Sequence, residues 1–314
     1  MPINIPAMLK SLVHPGRGFQ GFLCEFDQSQ VDALGCLYCA REGAPAPCQM
    51  TAPVIAGIIA GLRDDDFGLS VTTLIHCARK ARLRRLAPYW SKPSDLWWIY
   101  RGQLMHDVAR TYAEGETGVI AEQRFSMLVE LPGGELVEIS GQPDLIYTDR
   151  RHLVDYKTTK RVPGTWKQYR CPDTGELLYE GGLAWQRKYI KCSNCEAGEH
   201  EARLIMTEGP RRPYSGHAAQ VSLYRLLLAE NGIPVDTAEI VYQDMAEQIR
   251  LDIPLMTLED AFAYLTRRVA AHTTPGLPPV EESWECDYCT VRATCDGIRS
   301  GILEPPRATS ASEA

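Results

Sequence analysis

A polar turn between two alternating apolar runs is the feature that most constrains this chain. The segment 141–160 reads GQPDLIYTDRRHLVDYKTTK, with apolar residues alternating on both sides of Asp149-Arg150. Such alternation around a polar pair predicts a β-hairpin. If these two residues form the loop, the residue numbers of each cross-strand pair have the same sum. Asp144 then lies directly opposite Asp155. The sequence therefore predicts an antiparallel pair of strands with a defined register.

This register gathers charged side chains on one face of the hairpin. Successive strand residues point to opposite faces, so Lys157 shares the face of Asp155 and Asp144. The other face then carries Leu145, Tyr147, Val154 and Tyr156. Two opposed carboxylates repel each other unless a cation lies between them, and Mg²⁺ or Mn²⁺ prefers such oxygen ligands. A lysine beside the metal can orient a bound water for attack on a phosphodiester. The alternative is a solvated hairpin whose charges face water.

The length of the chain, 314 residues, suits one large domain with additions or two domains. The longest apolar run, residues 52–62, is too short to span a bilayer. Residues 1–16 lack the basic and apolar segments of a signal peptide. We therefore expect a cytoplasmic protein that has no membrane partner.

Eleven cysteines in a cytoplasmic chain indicate metal binding and not disulfides. They fall into three groups, with Cys77 standing alone unless it completes the last group. The groups are Cys24, Cys36, Cys39 and Cys48; Cys171, Cys192 and Cys195; and Cys286, Cys289 and Cys295.

The spacing of the first two groups predicts one or two Zn²⁺ sites. Cys24, Cys36, Cys39 and Cys48 fit a four-thiolate tetrahedral zinc site, with His14 as the reserve ligand for Cys24. Cys171, Cys192, Cys195 and His200 resemble a small zinc ribbon of three thiolates and one imidazole. The alternative in both cases is a set of scattered buried thiols.

The net charge of −7 is unusual for a protein whose whole surface holds nucleic acid. The basic residues are unevenly placed, so they can form a local phosphate track on an acidic body. The alternative is ordinary solvated surface charge. The clusters are Arg79, Lys80, Arg82, Arg84 and Arg85; Lys157, Lys160, Arg161, Lys167 and Arg170; and Arg187, Lys188 and Lys191.

The order of the patterns predicts an α/β chain with an added amino-terminal unit. A cysteine-rich unit covers residues 1–68, a main domain covers 69–302, an insert occupies about 161–213, and the tail 303–314 is expected to be disordered. Ser70 or Thr72 is expected to cap a helix that carries Leu74 and Cys77. Further helices are predicted over 95–115, 214–231 and 257–271, and strands over 121–131, 135–140 and 239–244.

Laid side by side, these pieces resemble the RecB-like nucleases of the PD-(D/E)xK superfamily. The branch they most resemble has an iron–sulfur cluster and includes the CRISPR-associated RecB-like exonucleases and the AddB-type repair nucleases. The matching residues are Gly102-x3-His106, Gly141-x2-Asp144, Asp155-Tyr156-Lys157 and Gln220-x3-Tyr224, flanked by Cys77 and by Cys286-x2-Cys289-x5-Cys295. Each motif alone is weak, but their joint occurrence in this order is specific.

The resemblance implies a restriction-endonuclease-like fold, in which a central mixed sheet is flanked by helices. It also implies that His106, Asp144, Asp155 and the carbonyl of Tyr156 bind Mg²⁺ or Mn²⁺. Lys157 would act on the attacking water and on the charge of the transition state, and Gln220 and Tyr224 would steady Lys157 and the substrate strand. Cys77, Cys286, Cys289 and Cys295 would hold a 4Fe–4S cluster that staples the two ends of the domain.

The function implied is a metal-dependent deoxyribonuclease that acts as an exonuclease on single-stranded DNA ends, in DNA repair, recombination or CRISPR adaptation. A channel lined by the helix 79–85 and the zinc insert would receive the strand. No phosphate-binding loop of the Gly-x4-Gly-Lys-Ser/Thr type occurs, so a helicase or a CRISPR integrase would be a separate partner. One alternative is a catalytically silent zinc and iron–sulfur module for DNA binding or docking. Another is an endonuclease that trims ends for CRISPR spacer acquisition. The amino-terminal cysteine unit and the 171–200 insert lie outside the resemblance.

Overall fold

The computed structural model describes residues 18–42, 48–62, 68–131, 133–181, 189–192, 194, 199–201 and 205–306. The helices are α1 (Ala33–Arg41), α2 (Ala52–Gly61), α3 (Val71–Leu74), α4 (Ala78–Leu86), α5 (Trp97–Ala113), α6 (Ser215–Glu230), α7 (Leu258–Thr273) and α8 (Arg292–Arg299), with 3-10 turns at Pro93–Leu96 and Trp284–Tyr288. The strands are β1 (Gly18–Leu23), β2 (Gln30–Val31), β3 (Leu69–Ser70), β4 (Pro88–Ser91), β5 (Val119–Ala121), β6 (Phe125–Glu130), β7 (Leu136–Gly141), β8 (Leu145–Tyr147), β9 (His152–Thr158), β10 (Thr165–Arg170), β11 (Leu177–Gly181), β12 (Tyr189–Lys191), β13 (Glu199–Glu201), β14 (Ile205–Arg211), β15 (Thr237–Gln243) and β16 (Gln248–Asp252).

The fold is mixed α/β, with several sheets flanked by helices. The largest sheet that the described residues form has the order β16-β15-β9-β8-β5. Strands β9 and β15 run parallel and their neighbours antiparallel, so this sheet is mixed. Strands β3, β7 and β6 form a second sheet, and β2, β1 and β4 a third. The mixed sheet carries both carboxylate-bearing segments of the predicted hairpin.

Polar caps begin several helices where the sequence offers a short oxygen-bearing side chain. Ser70 accepts from the N–H of Thr73 at the start of α3, and Thr257 accepts from the N–H of Asp260 at the start of α7. Each cap satisfies one of the N–H groups that a helix leaves free at its first turn. The Cys77 sulfur caps α4 in the same way. The predicted single helix through Leu74 and Cys77 is therefore wrong, because the chain starts a second helix at this cap.

The strand predicted over 121–131 is also interrupted. Strand β5 ends at Ala121 and β6 starts at Phe125, with Glu122 between them at a φ of 53°. A positive φ is rare for a residue other than glycine and breaks the extended path of a strand. The helix predicted over 214–231 matches α6, and the helix predicted over 257–271 matches α7 within two residues.

Two cores hold the described chain together. The first packs α6 and α7 against the sheets and includes Ile146, Leu153 and Tyr242. Leu145 and Val154 form a small cluster on the opposite face of the hairpin with Val241, as the predicted alternation requires. The second core joins β1, α1 and α2 to Leu83 of α4 and to Val291 near the carboxyl end.

The boundary predicted at residue 68 is crossed by a sheet and by the second core. Strand β1 pairs in parallel with β4, which lies beyond that boundary. The insert region forms a three-stranded antiparallel sheet in the order β11-β10-β14. Residues 307–314 of the predicted disordered tail lie outside the described chain. No helix in the described part of the chain is long and apolar enough to cross a membrane.

Candidate active site

The hairpin between β8 and β9 has the register that the sequence predicts. Leu145 pairs with Val154, Ile146 with Leu153 and Tyr147 with His152, and every pair sums to the same number. Asp144 immediately precedes β8, so continuation of the register places it beside Asp155. Asp144 is 2% exposed and Asp155 is 0% exposed. The alternative of a solvated hairpin is therefore wrong for these two carboxylates.

Three side chains from separate elements meet at the edge of this hairpin. His106 comes from α5, Glu122 follows β5, and Asp144 precedes β8; their ligand atoms all lie within 4.8 Å of one another. His106 Nδ1 lies 2.7 Å from Glu122 Oε1 and 3.3 Å from Asp144 Oδ1. Asp144 Oδ2 accepts a 2.6 Å hydrogen bond from the N–H of Tyr156. An imidazole and two carboxylates at this spacing can hold one divalent cation.

The charge of His106 is set by its two acidic neighbours. Burial lowers the pKa of His106, but hydrogen bonds and charge from Asp144 and Glu122 outweigh it and raise the pKa to about 10. Without a metal, the imidazole is therefore protonated at neutral pH and bridges the two carboxylates. A metal at this site must displace that proton, because a ligating histidine is neutral.

The buried Asp155 carboxylate forms an ion pair with the half-buried Lys157 next to this group. Lys157 Nζ lies 2.7 Å from Asp155 Oδ2, whereas Asp155 Oδ1 has no hydrogen-bond partner among the described residues. Burial raises the pKa of Asp155. Burial lowers the pKa of Lys157, but Asp155 and Asp144 outweigh it and raise the pKa above its ordinary value. A buried carboxylate oxygen without a partner is costly, and a hard cation would supply the missing interaction.

Gln220 and Tyr224 lie on one side of α6, above the face that carries Asp155. Gln220 Nε2 donates to Tyr224 Oη at 2.8 Å and to Thr72 Oγ1 at 3.2 Å. Burial and the Asp155 carboxylate raise the pKa of Tyr224 to about 12. Gln220 and Tyr224 are therefore neighbours on α6, and their role in steadying Lys157 and the substrate strand stays a prediction. Tyr156 contributes its N–H to Asp144, and the ligand role of its carbonyl stays a prediction.

Glu122 is the functional candidate that sequence reasoning missed. Its carboxylate contacts His106 through Oε1 and accepts from Gln142 Nε2 at 2.7 Å through Oε2. Arg124 in turn donates to Gln142 Oε1 at 3.1 Å. In the sequence, the position of this acidic residue directly after the short apolar run 119–121 could have indicated its role. Assigning one continuous strand over 121–131 hid that signal.

The thiols predicted to hold the cluster are brought towards one another at the start of α4. Burial raises the pKa of Cys289, and the neighbouring thiols of Cys77 and Cys286 raise it further. Cys77 Sγ accepts from the N–H of Lys80 at 3.5 Å, and Cys295 Sγ accepts from Arg79 Nε at 3.2 Å. The contact between Arg79 and Cys295 joins residues 216 positions apart in the sequence.

The amino-terminal thiols also converge. Cys36 and Cys39 lie in α1, Cys24 directly follows β1, and Cys48 precedes α2. Burial raises the pKa of Cys36 to about 12, with further contributions from Cys48, Cys39 and Cys24. Cys36 packs against the second core, as do Cys289 and Cys295. The two cysteine groups therefore share one core.

In the insert, Cys171 and Cys192 are both buried. The Thr174 N–H donates to Cys171 Sγ at 3.4 Å, and Thr174 Oγ1 lies 3.7 Å from Cys192 Sγ. Cys192 Sγ also donates to Glu176 Oε2 at 3.0 Å. Cys195 and the side chain of His200 lie outside the described residues.

The described thiols do not form a closed zinc tetrahedron. Within the described part of the chain, three metal-ligating atoms lie within 4.8 Å of one another in the group of His106, Glu122 and Asp144, and in no group of cysteines. Four sulfurs around one zinc lie about 3.8 Å apart, from a Zn–S distance of about 2.3 Å. The predicted zinc geometry is therefore not formed by the described thiols alone.

The basic helix predicted to line a DNA channel is largely engaged within the chain. Arg79 is buried and donates to Cys295 and to the carbonyl of Pro278. Arg82 donates to the carbonyls of His272 and Thr274. Lys80 contacts Glu285, and Arg84 donates to Tyr89. These contacts fix α4 to its surroundings, and the phosphate track along this helix stays a prediction.

No protein-family model matches this chain, and no curated protein matches it. Among solved structures, one described as "Crystal structure of SSO0001" is 16% identical, with 76% of this chain and 87% of that chain covered and a TM-score of 0.43. A likeness at this level carries no conclusion on fold or function.

Proposed function

We propose that this chain is a metal-dependent deoxyribonuclease of the PD-(D/E)xK type, with a restriction-endonuclease-like fold. One observation carries the proposal: the buried Asp144 and Asp155 share one face with the half-buried Lys157, and His106 and Glu122 lie beside them. Burying this many charges costs folding free energy, which a functional site can justify and a purely structural role does not.

The residues fit a Mg²⁺ or Mn²⁺ ion by the chemistry of their donors. His106, Glu122, Asp144 and Asp155 offer one imidazole and three carboxylates, and Asp155 Oδ1 has no hydrogen-bond partner among the described residues. The Tyr156 carbonyl is a further proposed ligand. When bound, the metal would lower the pKa of a water molecule and offset negative charge on the phosphate.

Lys157 acts in this proposal as a fixed positive charge and not as a base. Its raised pKa keeps the ammonium protonated at neutral pH. A protonated amine can donate to the attacking water and to the charge that develops on the phosphorane-like transition state. Gln220 and Tyr224 lie on the face of α6 above Lys157, where a 2.8 Å hydrogen bond joins their side chains.

Single-stranded DNA ends are the proposed substrate, with exonuclease action. The insert sheet follows β9 directly, and its strand β10 carries Trp166, which has the Arg212 guanidinium 4.5 Å from its ring centroid. Tyr169 and Tyr179 form a second ring pair, 5.7 Å between centroids. Aromatic and basic side chains together suit unpaired bases, which stack on rings.

Two further metal roles belong to the same proposal. Cys77, Cys286, Cys289 and Cys295 hold a 4Fe–4S cluster, whose four irons separate the thiolates more widely than one zinc ion does. Cys24, Cys36, Cys39 and Cys48 would hold Zn²⁺ after their sulfurs move to within about 3.8 Å of one another, and Cys171 and Cys192 would do so with Cys195 and His200. A brown anaerobic preparation with four irons per chain is expected. A colourless protein with only zinc would overturn the cluster.

The test of the activity compares wild type with Lys157→Ala on end-labelled single-stranded DNA in Mn²⁺. We expect the variant to lose at least about a hundredfold in rate, because the transition-state donor is removed. Lys92→Ala, which changes a lysine next to the 3-10 turn Pro93–Leu96, is the matched control. Circular single strands, which have no ends, should resist digestion. Equal rates in wild type and Lys157→Ala would sink the proposal, and binding without cleavage would favour a silent docking module.

A further inference from the structure

His217 lies on the active-site side of α6, although no motif in the sequence marked it. It comes one turn before Gln220 and two turns before Tyr224, so the three side chains lie along one side of the helix. Its Nδ1 lies 3.1 Å from Tyr242 Oη. Tyr242 is the cross-strand neighbour of Lys157, since β15 and β9 pair in parallel at these residues. His217 therefore reaches the candidate site through the residue next to Lys157.

The buried hydroxyl of Tyr242 fixes the tautomer of this histidine. Tyr242 is fully buried, and its Oη accepts a 3.1 Å hydrogen bond from the N–H of Tyr214. A buried hydroxyl hydrogen also needs an acceptor, and within the described residues His217 Nδ1 is the one that it has. The hydroxyl therefore donates to Nδ1, and the ring proton of a neutral His217 lies on Nε2.

The imidazole is held neutral by its surroundings. Burial lowers the pKa of His217 to about 3, and the charges of Lys157 and His76 act in the same direction. In the described part of the chain, Nε2 has no hydrogen-bond partner, and the ring is half-buried. His217 thus presents one uncharged N–H donor near the half-buried ammonium of Lys157, and the hydrogen bond from Tyr242 to Nδ1 orients the ring.

The location favours an anionic partner for this donor. His217 lies in the first turn of the 16-residue helix α6, where free backbone N–H groups and the helix dipole favour negative charge. The Lys157 ammonium adds positive charge on the same side. A phosphate oxygen would accept from Nε2–H without any change in the protonation of the protein.

We propose that His217 is a further substrate-contacting residue, whose Nε2–H donates to a non-bridging phosphate oxygen of the bound nucleic acid while Tyr242 positions the ring. This inference rests on the proposed nuclease function and deepens it, because it names a phosphate contact beyond the metal ligands and Lys157. Tyr242 is a positioning residue, which acts through His217.

Two amide substitutions separate this role from a structural one. His217→Gln places an amide near the position of Nε2, whereas His217→Asn places it near Nδ1. If His217 contacts the substrate, the Gln variant keeps most of the activity and the Asn variant loses about tenfold to hundredfold in kcat/KM, as for one hydrogen bond to a charged group. If His217 serves only to satisfy Tyr242, the order of the two variants is reversed.

The experiment measures kcat/KM of wild type and both variants on single-stranded DNA in Mn²⁺, with thermal melting as the folding control. Substrates with a single Rp or Sp phosphorothioate at the cleaved position, which remains cleavable in Mn²⁺, are run in parallel. We expect the gap between the Gln and Asn variants to shrink on the diastereomer whose sulfur replaces the contacted oxygen, because sulfur is a weaker hydrogen-bond acceptor than oxygen. Equal loss in both variants, or a gap of the same size on all substrates, would overturn the role of His217. Wild type as inactive as Lys157→Ala would instead refute the nuclease function itself.

Discussion

Metal binding at the candidate site should release one proton from His106, and that proton can be counted. The His106 imidazole donates towards Glu122 at 2.7 Å and lies 3.3 Å from Asp144, and these carboxylates raise its pKa to about 10 despite burial. At pH 7 the ring is therefore protonated to roughly 99.9%. A histidine that ligates a metal must be neutral, so the incoming cation takes the place of the proton.

The magnitude follows from the distance between the working pH and this pKa. Three pH units correspond to about 4 kcal/mol, which the metal must supply before any net binding is seen at pH 7. The apparent affinity for Mn²⁺ should accordingly rise about tenfold for each pH unit between 7 and 10.

The assay is calorimetric titration of Mn²⁺-free protein at pH 7, in buffers with different ionisation enthalpies. The dependence of the heat on the buffer gives the number of protons released, which we expect to be about one per metal. His106→Gln removes the titrating ring, so its binding heat should hardly depend on the buffer. Full binding by the wild type with heats that are the same in every buffer would refute the assignment of His106 as a ligand.

Two further predictions concern folding. Gly141→Ala should cost about 1–3 kcal/mol and shift Tyr224, because an added methyl would lie 2.7 Å from Leu227 Cδ2 and 3.0 Å from Tyr224 Cε1. Gly216→Ala, which has no atom within 4 Å of the added methyl, should melt no lower than wild type, and equal melting of both variants would contradict the reasoning. Burial lowers the pKa of His272 to about 4, and both of its ring nitrogens lack partners among the described residues, so the unfolded chain binds the proton more readily below pH 6.5. The free energy of unfolding should therefore fall by up to about 3 kcal/mol as the pH drops from 6.5 to 4. In His272→Leu, the urea midpoint should lose this part of its pH dependence. A variant whose midpoint depends on pH as the wild type does would refute this role of His272.

The register of the hairpin was predictable because it depends on local rules. Side chains along a strand repeat every two residues, and a turn centred on Asp149-Arg150 fixes the pairing. The structure keeps this register with the four-residue loop 148–151 in place of the predicted two-residue loop. The placement of Asp144, Asp155 and Lys157 on one face follows from these two rules alone. Gln220 and Tyr224 were predictable for the same reason, since positions four apart on a helix are neighbours.

Glu122 was not predictable because its role depends on an irregular backbone. The positive φ at this residue ends β5 and turns the carboxylate towards His106, which belongs to a helix 16 residues earlier. Periodicity describes regular elements only, so it treats such a residue as part of a strand. The contact between the Tyr242 hydroxyl and His217 was not predictable either, because it joins residues 25 positions apart.

The cations of α4 show a different limit. A cluster of arginines reads as surface charge, and nothing in the local sequence indicates that Arg79 ends beside Cys295, 216 residues later. The helix starts at Cys77, so its first turn is drawn into the second core together with the thiols. A guanidinium with five donors can satisfy several buried acceptors at such a place, which a lysine cannot do as well.

The second core also links the cysteine groups to the candidate active site through α5. Helices α2 and α5 pack closely at two glycines four residues apart: a Cβ on Gly57 would lie 2.2 Å from the Tyr100 ring, and one on Gly61 would lie 2.3 Å from Ile99 Cγ2. The same helix α5 packs against β9 and carries His106 into the metal-ligating group, two turns beyond this contact. Cys36, Cys289 and Cys295 pack against the core that holds α2 in place. The amino-terminal unit holds α2 in place, and α2 in turn packs against α5, the helix that positions His106. The packing of the cysteine groups and the position of His106 in the metal-ligating group therefore depend on the same interface.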